Sequence, residues 1–298
     1  MKVLVTGAHG QVGWELSRRG AGKGSDILAL DRATLDITDQ SAVKRTVGRS
    51  GVALVVNGAA YTAVDQAESE SELAFAANRD GPANLASACA EAGIPLIHIS
   101  TDFVFDGEKK GPYHETDQVS PLNVYGKSKA AGETEVRERL REHIILRTSW
   151  VYGVHGRNFV KTILRLGRER DVIKVVADQY GCPTYAADLA EAILLIAAKL
   201  REFGESDWGT YHYCGKGVTN WHGFAEAIFV VARQYTNLVI KEVEPIATTE
   251  YPTLAKRPTN SVLDCSLIEN HLGISPKPWN ESLTKMLRQL LLNRKNRD

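Results

Sequence analysis

The chain has 298 residues, 43% of them hydrophobic and 24% charged, which is enough for two average domains or for one α/β unit with an annex. Lysine plus arginine number 36 and aspartate plus glutamate number 36, so the formal net charge is zero. That balance argues against a protein devoted mainly to nucleic acid or an anionic membrane surface, because both demand a basic excess.

The first half alternates short apolar runs with helical patterns. Candidate strands are KVLVTG (2–7), DILALD (26–31), ALVVNGAA (53–60), PLIHIST (95–101) and HIILRTSW (143–150). Most are near-continuous apolar runs, as expected of parallel strands covered on both faces. Between them lie the helix-like stretches QVGWELSRRG, QSAVKRTVGR, ELAFAANRDGPANLASACAEAG and NVYGKSKAAGETEVRERL. Repeated βαβ units predict a Rossmann-type, doubly wound parallel sheet of the α/β class. Past Trp150 the rhythm loosens: DVIKVVAD (171–178) and AADLAEAILLIAAKLRE (186–202) suggest a return to the sheet. GTYHYCG, WHGFAEAIFVVARQ, NLVIKEVEPI and ESLTKMLRQLLL suggest a smaller C-terminal α/β lobe. The expected division is 1–150 with 171–205 for the nucleotide domain, and 151–170 with 206–298 for the lobe. The tail NRKNRD is expected to fray.

No apolar run approaches the ~18 residues of a membrane span, and MKVLVTGAHG enters a strand without the pattern of a secretory signal. Cys89, Cys182, Cys214 and Cys265 are dispersed with no C-x-x-C pair, a poor disulfide or zinc framework. Reduced thiols in a cytoplasmic protein are expected, with no nucleic-acid or membrane partner. His98, inside PLIHIST, reads as a strand residue and not as a ligand.

VTGAHGQVG places Gly7, Gly10 and Gly13 between the first strand and the first helix. Glycines there permit a tight turn and close approach of a diphosphate, which the helix N-terminus then meets with amide donors. The spacing is G-x-x-G-x-x-G, and Gln11 and Val12 lie within the same turn. Asp31, eighteen residues past Gly13, is placed for the adenosine ribose hydroxyls of NAD, whereas its neighbour Arg32 suits the 2′-phosphate of NADP. The two pull in opposite directions, so use of both NADPH and NADH is expected; an exposed Asp–Arg loop pair is the plain alternative. Asp36 and Ile37 are candidates for the adenine edge and face. Ala59, Ala60, Tyr61 and Asn78 are further candidates to surround the dinucleotide.

NVYGKSKAAGE (123–133) sets Tyr125 and Lys129 four apart, on one face of a helix. Beside a nicotinamide, the Lys129 ammonium is expected to bond the ribose and draw the phenol's pKa down from ~10. Tyr125 is then a proton donor for a developing alkoxide, with Thr101 of HISTDF as a second hydrogen-bond donor to the same oxygen.

In this order, the glycine turn, the hydroxyl residue at a strand end and the Y-x-x-x-K pair resemble the extended branch of the short-chain dehydrogenase/reductase superfamily. NGAAYTAVDQAE, STDFVFDG, PLNVYGKSKAAGE, RTSWVYG, NFVKTILRL, DQYGCPT and KRPTNSVLD resemble, within that branch, the dTDP-4-dehydrorhamnose reductase family over nearly the whole chain. The resemblance implies reduction of dTDP-4-dehydro-6-deoxy-L-mannose at C4 to dTDP-L-rhamnose, the last step in making that sugar donor. It implies Thr101, Tyr125 and Lys129 as catalytic residues, with Asp102 as a helper. It implies a sugar-nucleotide pocket holding Thr62, Val64, Thr101, Asp102, Trp150, Asn158, Phe159, Gln179, Pro183, Thr184 and Arg257. Core packing is the equal alternative for Trp150 and Phe159, while the Arg257 guanidinium suits a diphosphate.

A 4,6-dehydratase is disfavoured because its Thr-Asp-Glu series here reads Thr101, Asp102, Phe103. An epimerase would share the Tyr–Lys pair, and a nucleotide-binding regulatory subunit would often lose one of the two. Some family members dimerise through magnesium held by acidic residues of the C-terminal helix. Here that helix reads MLRQLLLNRKNRD, with Gln289 where a carboxylate is wanted. No tightly bound metal is expected; the chain is a monomer or a homodimer built another way.

Overall fold

A computed structural model describes residues 1–20, 26–204 and 207–295; the last three residues of the tail and the domain boundary at 205/206 lie outside them. In chain order the elements are β1 Lys2–Thr6, α1 Gln11–Gly20, β2 Asp26–Leu30, α2 Gln40–Arg49, β3 Leu54–Asn57, α3 Val64–Ala67 and α4 Ser71–Phe75. A π-helical turn, Ala76–Asp80, leads into α5 Gly81–Ala92, followed by β4 Leu96–Thr101, α6 Val124–Arg139 and β5 His143–Thr148. Then come β6 Val151–Tyr152, α7 Phe159–Glu169, β7 Val172–Val176, β8 Tyr180–Gly181, β9 Thr184–Tyr185 and α8 Ala186–Lys199. The chain continues through β10 Gly209–His212, β11 Thr219–Asn220, α9 Trp221–Ala232, β12 Glu242–Ile246, α10 Ser266–Leu272 and α11 Trp279–Lys295.

Six strands make one sheet in the order β10-β5-β4-β3-β1-β2, every pair parallel. Side chains alternate across it with period two. Val3, Val5, Leu54, Val56 and Ile97 face a cluster with Leu16 of α1 and Leu189, Ile193 and Ile196 of α8. Leu4, Val55, Leu96 and Ile145 face the opposite cluster, with Val43 and Val47 of α2, Leu85 and Cys89 of α5 and Val136 of α6. Both faces are therefore covered, which is why the strands read as unbroken apolar runs. Each fully buried Leu, Ile or Val contributes roughly 1.5–3 kcal/mol. Helix starts are marked in the sequence: Asp39, Asn123, Asn158 and Asn220 each accept a backbone N–H from the first turn of α2, α6, α7 and α9.

Two expectations are corrected. DVIKVVAD does not rejoin the main sheet: β7 pairs with β12 in a separate two-stranded sheet, and of 171–205 it is α8 that returns, packing on α1. GTYHYCG, expected in the lobe, is instead the sixth strand of the main sheet, parallel to β5. A short apolar run does not name its partner strand; the crossover that delivers it does. The lobe has its own core, where Val160, Ile163 and Leu164 of α7 meet Phe224, Ile228 and Phe229 of α9 and Leu283, Met286 and Leu287 of α11.

Candidate active site

The first βα turn carries its glycines for a steric reason. Gly7 has φ +71°, and a Cβ there would stand 2.6 Å from the Gly58 carbonyl carbon and oxygen. A side chain is excluded twice, by conformation and by space. The turn lies at the C-terminal end of β1, between β2 and β3 and below the α1 N-terminus, whose first amides have no intrahelical acceptor. A diphosphate fits that cradle, where Gly10, Gln11, Val12 and Gly13 line the chain.

At the end of β2, Asp31 Oδ1 accepts from the Thr34 amide at 2.9 Å and hydroxyl at 2.7 Å, while Oδ2 stands 3.5 Å from His9 Nδ1. The Thr34 bonds hold its carboxyl below the usual range. Arg32 is 83% exposed and touches Asp36 Oδ2 at 3.2 Å, so its guanidinium is held only at the surface. Ile37 is buried, its side chain packed against Gly81 at the start of α5. Asn78 is also fully buried. Its amide accepts from Tyr61 N at 2.8 Å and donates to Tyr61 O and Ser128 Oγ at 3.0 Å each, fixing the 58–63 loop that carries Ala59, Ala60 and Tyr61.

Across the sheet edge, β4 ends at Thr101 and α6 begins beside it. Thr101 Oγ1 donates to Asp102 Oδ1 at 3.0 Å, and its hydroxyl lies near enough to the Tyr125 phenol to draw that group's pKa down against burial. Tyr125 meets Phe103 edge-on at 5.6 Å between ring centres. The helix comes this close because of Gly126, where a Cβ would fall 2.2 Å from the Phe103 carbonyl. Lys129, one turn on, is 2% exposed and donates to the Ile99 carbonyl at 2.7 Å. Thr101, Asp102, Tyr125 and Lys129 are thus brought together.

Burial and the Asp102 carboxylate push the Tyr125 phenol up to about 12, and the Lys129 ammonium is directed to Ile99 and not to the phenol. Burial lowers Lys129 itself to about 8 against the pull of Glu133. Asp102 is 2% exposed and burial raises it to about 6. The Ser261 hydroxyl is close enough to lower Asp102, but its own bonds run to Trp150 Nε1 and the Tyr180 carbonyl, each at 3.2 Å, so we count Asp102 Oδ2 as a buried acceptor without a donor. An orphaned carboxylate oxygen beside Thr101 and Tyr125 fits a site that receives a ligand hydroxyl as its donor.

The lobe residues divide. Trp150, with φ +48°, is the one non-glycine residue of positive φ among the described residues, and its ring stacks on Trp221 at 3.5 Å. Phe159 packs on Trp221 and Phe224, in the lobe core. Asn158 caps α7 and donates to Gln11 Oε1 at 2.9 Å, tying the lobe to the glycine turn. Gln179 is buried with Nε2 on Thr248 Oγ1 at 3.0 Å; Pro183 and Thr184 are buried, and Thr184 bonds Cys182 O and Gly215 N. Thr62 is exposed and Val64 half-buried. Arg257 grips Asp65 of α3 with both Nη atoms, at 2.7 and 3.1 Å.

Sequence reasoning missed three things. Asp65 as the partner of Arg257 lies 192 positions away and carries no local signal. The buried set of Glu133, Arg147 and Ser100 behind the site is invisible because its members sit on α6, β5 and β4. His98 reads correctly as a strand residue, but its side chain reaches Lys129.

A parallel sheet opening its first βα turn to a dinucleotide, with a threonine strand end facing a Y-x-x-x-K helix, is the arrangement of a short-chain dehydrogenase/reductase. Comparison with known proteins narrows the class. The RmlD substrate binding domain family matches residues 1–292. A dTDP-4-dehydrorhamnose reductase of Sinorhizobium fredii is 44% identical, over 99% of this chain and all of that one. The crystal structure of a dTDP-4-dehydrorhamnose reductase from Clostridium acetobutylicum superposes with a TM-score of 0.91 at 40% identity, covering 97% of this chain and 99% of the other. One from Bacillus anthracis, in complex with NADP, gives 0.89 at 39% identity and the same coverage. The chain belongs to the dTDP-4-dehydrorhamnose reductase family.

Proposed function

We propose that the protein reduces the C4 ketone of dTDP-4-dehydro-6-deoxy-L-mannose with a reduced nicotinamide dinucleotide, giving dTDP-L-rhamnose as the final step of that donor's synthesis. The observation that carries this reading is the convergence of Thr101, Tyr125 and Lys129 at the C-terminal edge of the sheet, across from the glycine cradle. A bound nicotinamide supplies the hydride. Tyr125, a neutral phenol at working pH, is in the right state to give its proton to the developing alkoxide oxygen. Thr101 holds that oxygen with a second hydrogen bond, and Lys129 reaches toward the nicotinamide ribose. In this reading Asp31 and Arg32 serve NADH and NADPH respectively; both lie at the surface end of β2, which supports use of either cofactor.

Trp150, Gln179, Thr62, Val64 and Arg257 surround the sugar nucleotide in this proposal, with the Arg257 guanidinium near its diphosphate. The reading includes no magnesium-bridged dimer, because Gln289 stands where a carboxylate ligand would be wanted and accepts from the Tyr185 hydroxyl at 3.1 Å inside the lobe. Free, mostly buried thiols fit a reducing compartment such as the cytoplasm, and among the described residues no helix is long and apolar enough to cross a membrane.

The test follows the loss of reduced-nicotinamide absorbance with NADPH and NADH in parallel, on the ketosugar nucleotide made in situ. Stoichiometric oxidation by the wild type is expected, falling by roughly 10²–10⁴-fold in Tyr125→Phe. Absence of oxidation with cofactor demonstrably bound would move the assignment to an epimerase or a non-catalytic nucleotide-binding subunit.

A further inference from the structure

Behind the site runs a buried polar chain that the reaction as described does not use. Thr6 Oγ1 donates to Asn57 Oδ1 at 2.6 Å, and the Ala59 amide donates to the same oxygen at 3.1 Å. A backbone N–H only donates, so the Asn57 atom it meets is the oxygen and the amide's orientation is fixed. Asn57 Nδ2 therefore faces His98 Nδ1, at 3.0 Å, and that nitrogen accepts. His98 is fully buried, and burial with the nearby Lys129, Arg137 and His143 charges holds its pKa well below 6.5, so the ring is neutral. A neutral imidazole whose Nδ1 accepts carries its proton on Nε2. That Nε2–H points at Lys129 Nζ, 3.4 Å away.

We propose that His98 is a positioning residue for Lys129: locked as the Nε2–H tautomer by Asn57, it sets a donor against the lysine nitrogen, weakens the lysine's hold on its third proton, and leaves the Ile99 carbonyl to anchor the side chain. Two donors facing each other disfavour the ammonium, whereas a neutral amine accepts the Nε2–H. The other charged and titratable groups facing this pair are Tyr125 and Glu133 of α6, Asp102 past the end of β4, Arg147 and His143 of β5, and Arg137 of α6. Of these, Glu133 favours the ammonium but is spent on Arg147, Arg137 and Ser100. Asn57 cannot pass a proton on, so the chain conveys orientation and not protons. It ends at Thr6, next to Gly7, and so references the lysine to the nucleotide turn.

The role assigned to Lys129 rests on the reductase reading, whereas its coupling to His98 is tested without cofactor or substrate. Long-range ¹H–¹⁵N spectra of histidine-labelled protein, sequentially assigned, are recorded from pH 6 to 9.5. The expected His98 signal is the neutral Nε2–H tautomer throughout, with its Nε2 shift inflecting near the lysine's titration at about 8. A Nδ1–H tautomer, an imidazolium, or no inflection overturns the proposal whatever the enzyme's activity. Secondly, the inflection near that pH in the kcat/KM profile is expected to rise by about one pH unit in His98→Phe. An unmoved profile in a folded variant overturns it equally; should the variant not fold, the wild-type spectra decide.

Discussion

Asp102 is where burial and function compete at the scale of one side chain. Its carboxyl stands at about 6 when folded against 3.8 as the free group, because burial disfavours the charge. Between those two values the folded chain holds more protons than the unfolded one, so stability falls as pH rises through the window and stays lower above it. The loss is at most about 3 kcal/mol, taking ~1.4 kcal/mol per pH unit. Asp102→Asn keeps the shape and removes the charge. Urea unfolding is expected to find that variant more stable than the wild type at pH 8, with the advantage gone below about pH 4. An equal effect at both pH values would show that folding leaves the carboxyl's pKa unshifted.

Elements meet at a second buried charge. Glu133 of α6 and Arg147 of β5 are 0% and 1% exposed and pair through two bonds of 2.7 and 2.8 Å, with Ser100 of β4 at 2.6 Å on the same carboxylate. Excellent geometry offsets the desolvation here, and removing one partner strands the other. Arg147→Met is expected to cost about 3–5 kcal/mol in a denaturant titration, with a fall in activity because α6 carries Tyr125 and β4 carries Thr101. Replacing both residues, Glu133→Leu with Arg147→Met, is expected to recover much of that loss. If the single variant loses under about 1 kcal/mol, the pair is not what holds this helix against the sheet.

Across the whole molecule, the contacts that join the nucleotide side to the lobe include those of Asn158 to Gln11 and of Arg257 to Asp65. The Arg257 pair is partly exposed, with side-chain exposures of 26% and 41%, so its share of stability is small, ~0.2–1 kcal/mol. On the proposed reading, its larger consequence falls on substrate. Arg257→Ala is expected to raise KM for the sugar nucleotide about tenfold or more, with the dissociation constant for NADPH, read by its fluorescence, unchanged. Equal weakening of both ligands would instead point to loosening of the lobe.

The strands, the glycine turn and the Y-x-x-x-K pair were legible in the residues, because each is a local pattern: unbroken apolar runs, a spacing of glycines, an i, i+4 face. Thr101 was legible by its place at the end of a strand. What escaped was partner choice between distant segments. Nothing in DVIKVVAD says that its neighbour is β12, and nothing in GTYHYCG says that it closes the main sheet beside β5. The state of charge escaped for the same reason. A phenol at about 12, a lysine at about 8 and a histidine with a fixed proton follow from burial and from neighbours on other elements. Sequence alone determined which residue types lie along each element, since local sterics and periodicity act over a few positions. The tertiary structure decided which groups face one another out of water, and desolvation there sets what those groups are able to do.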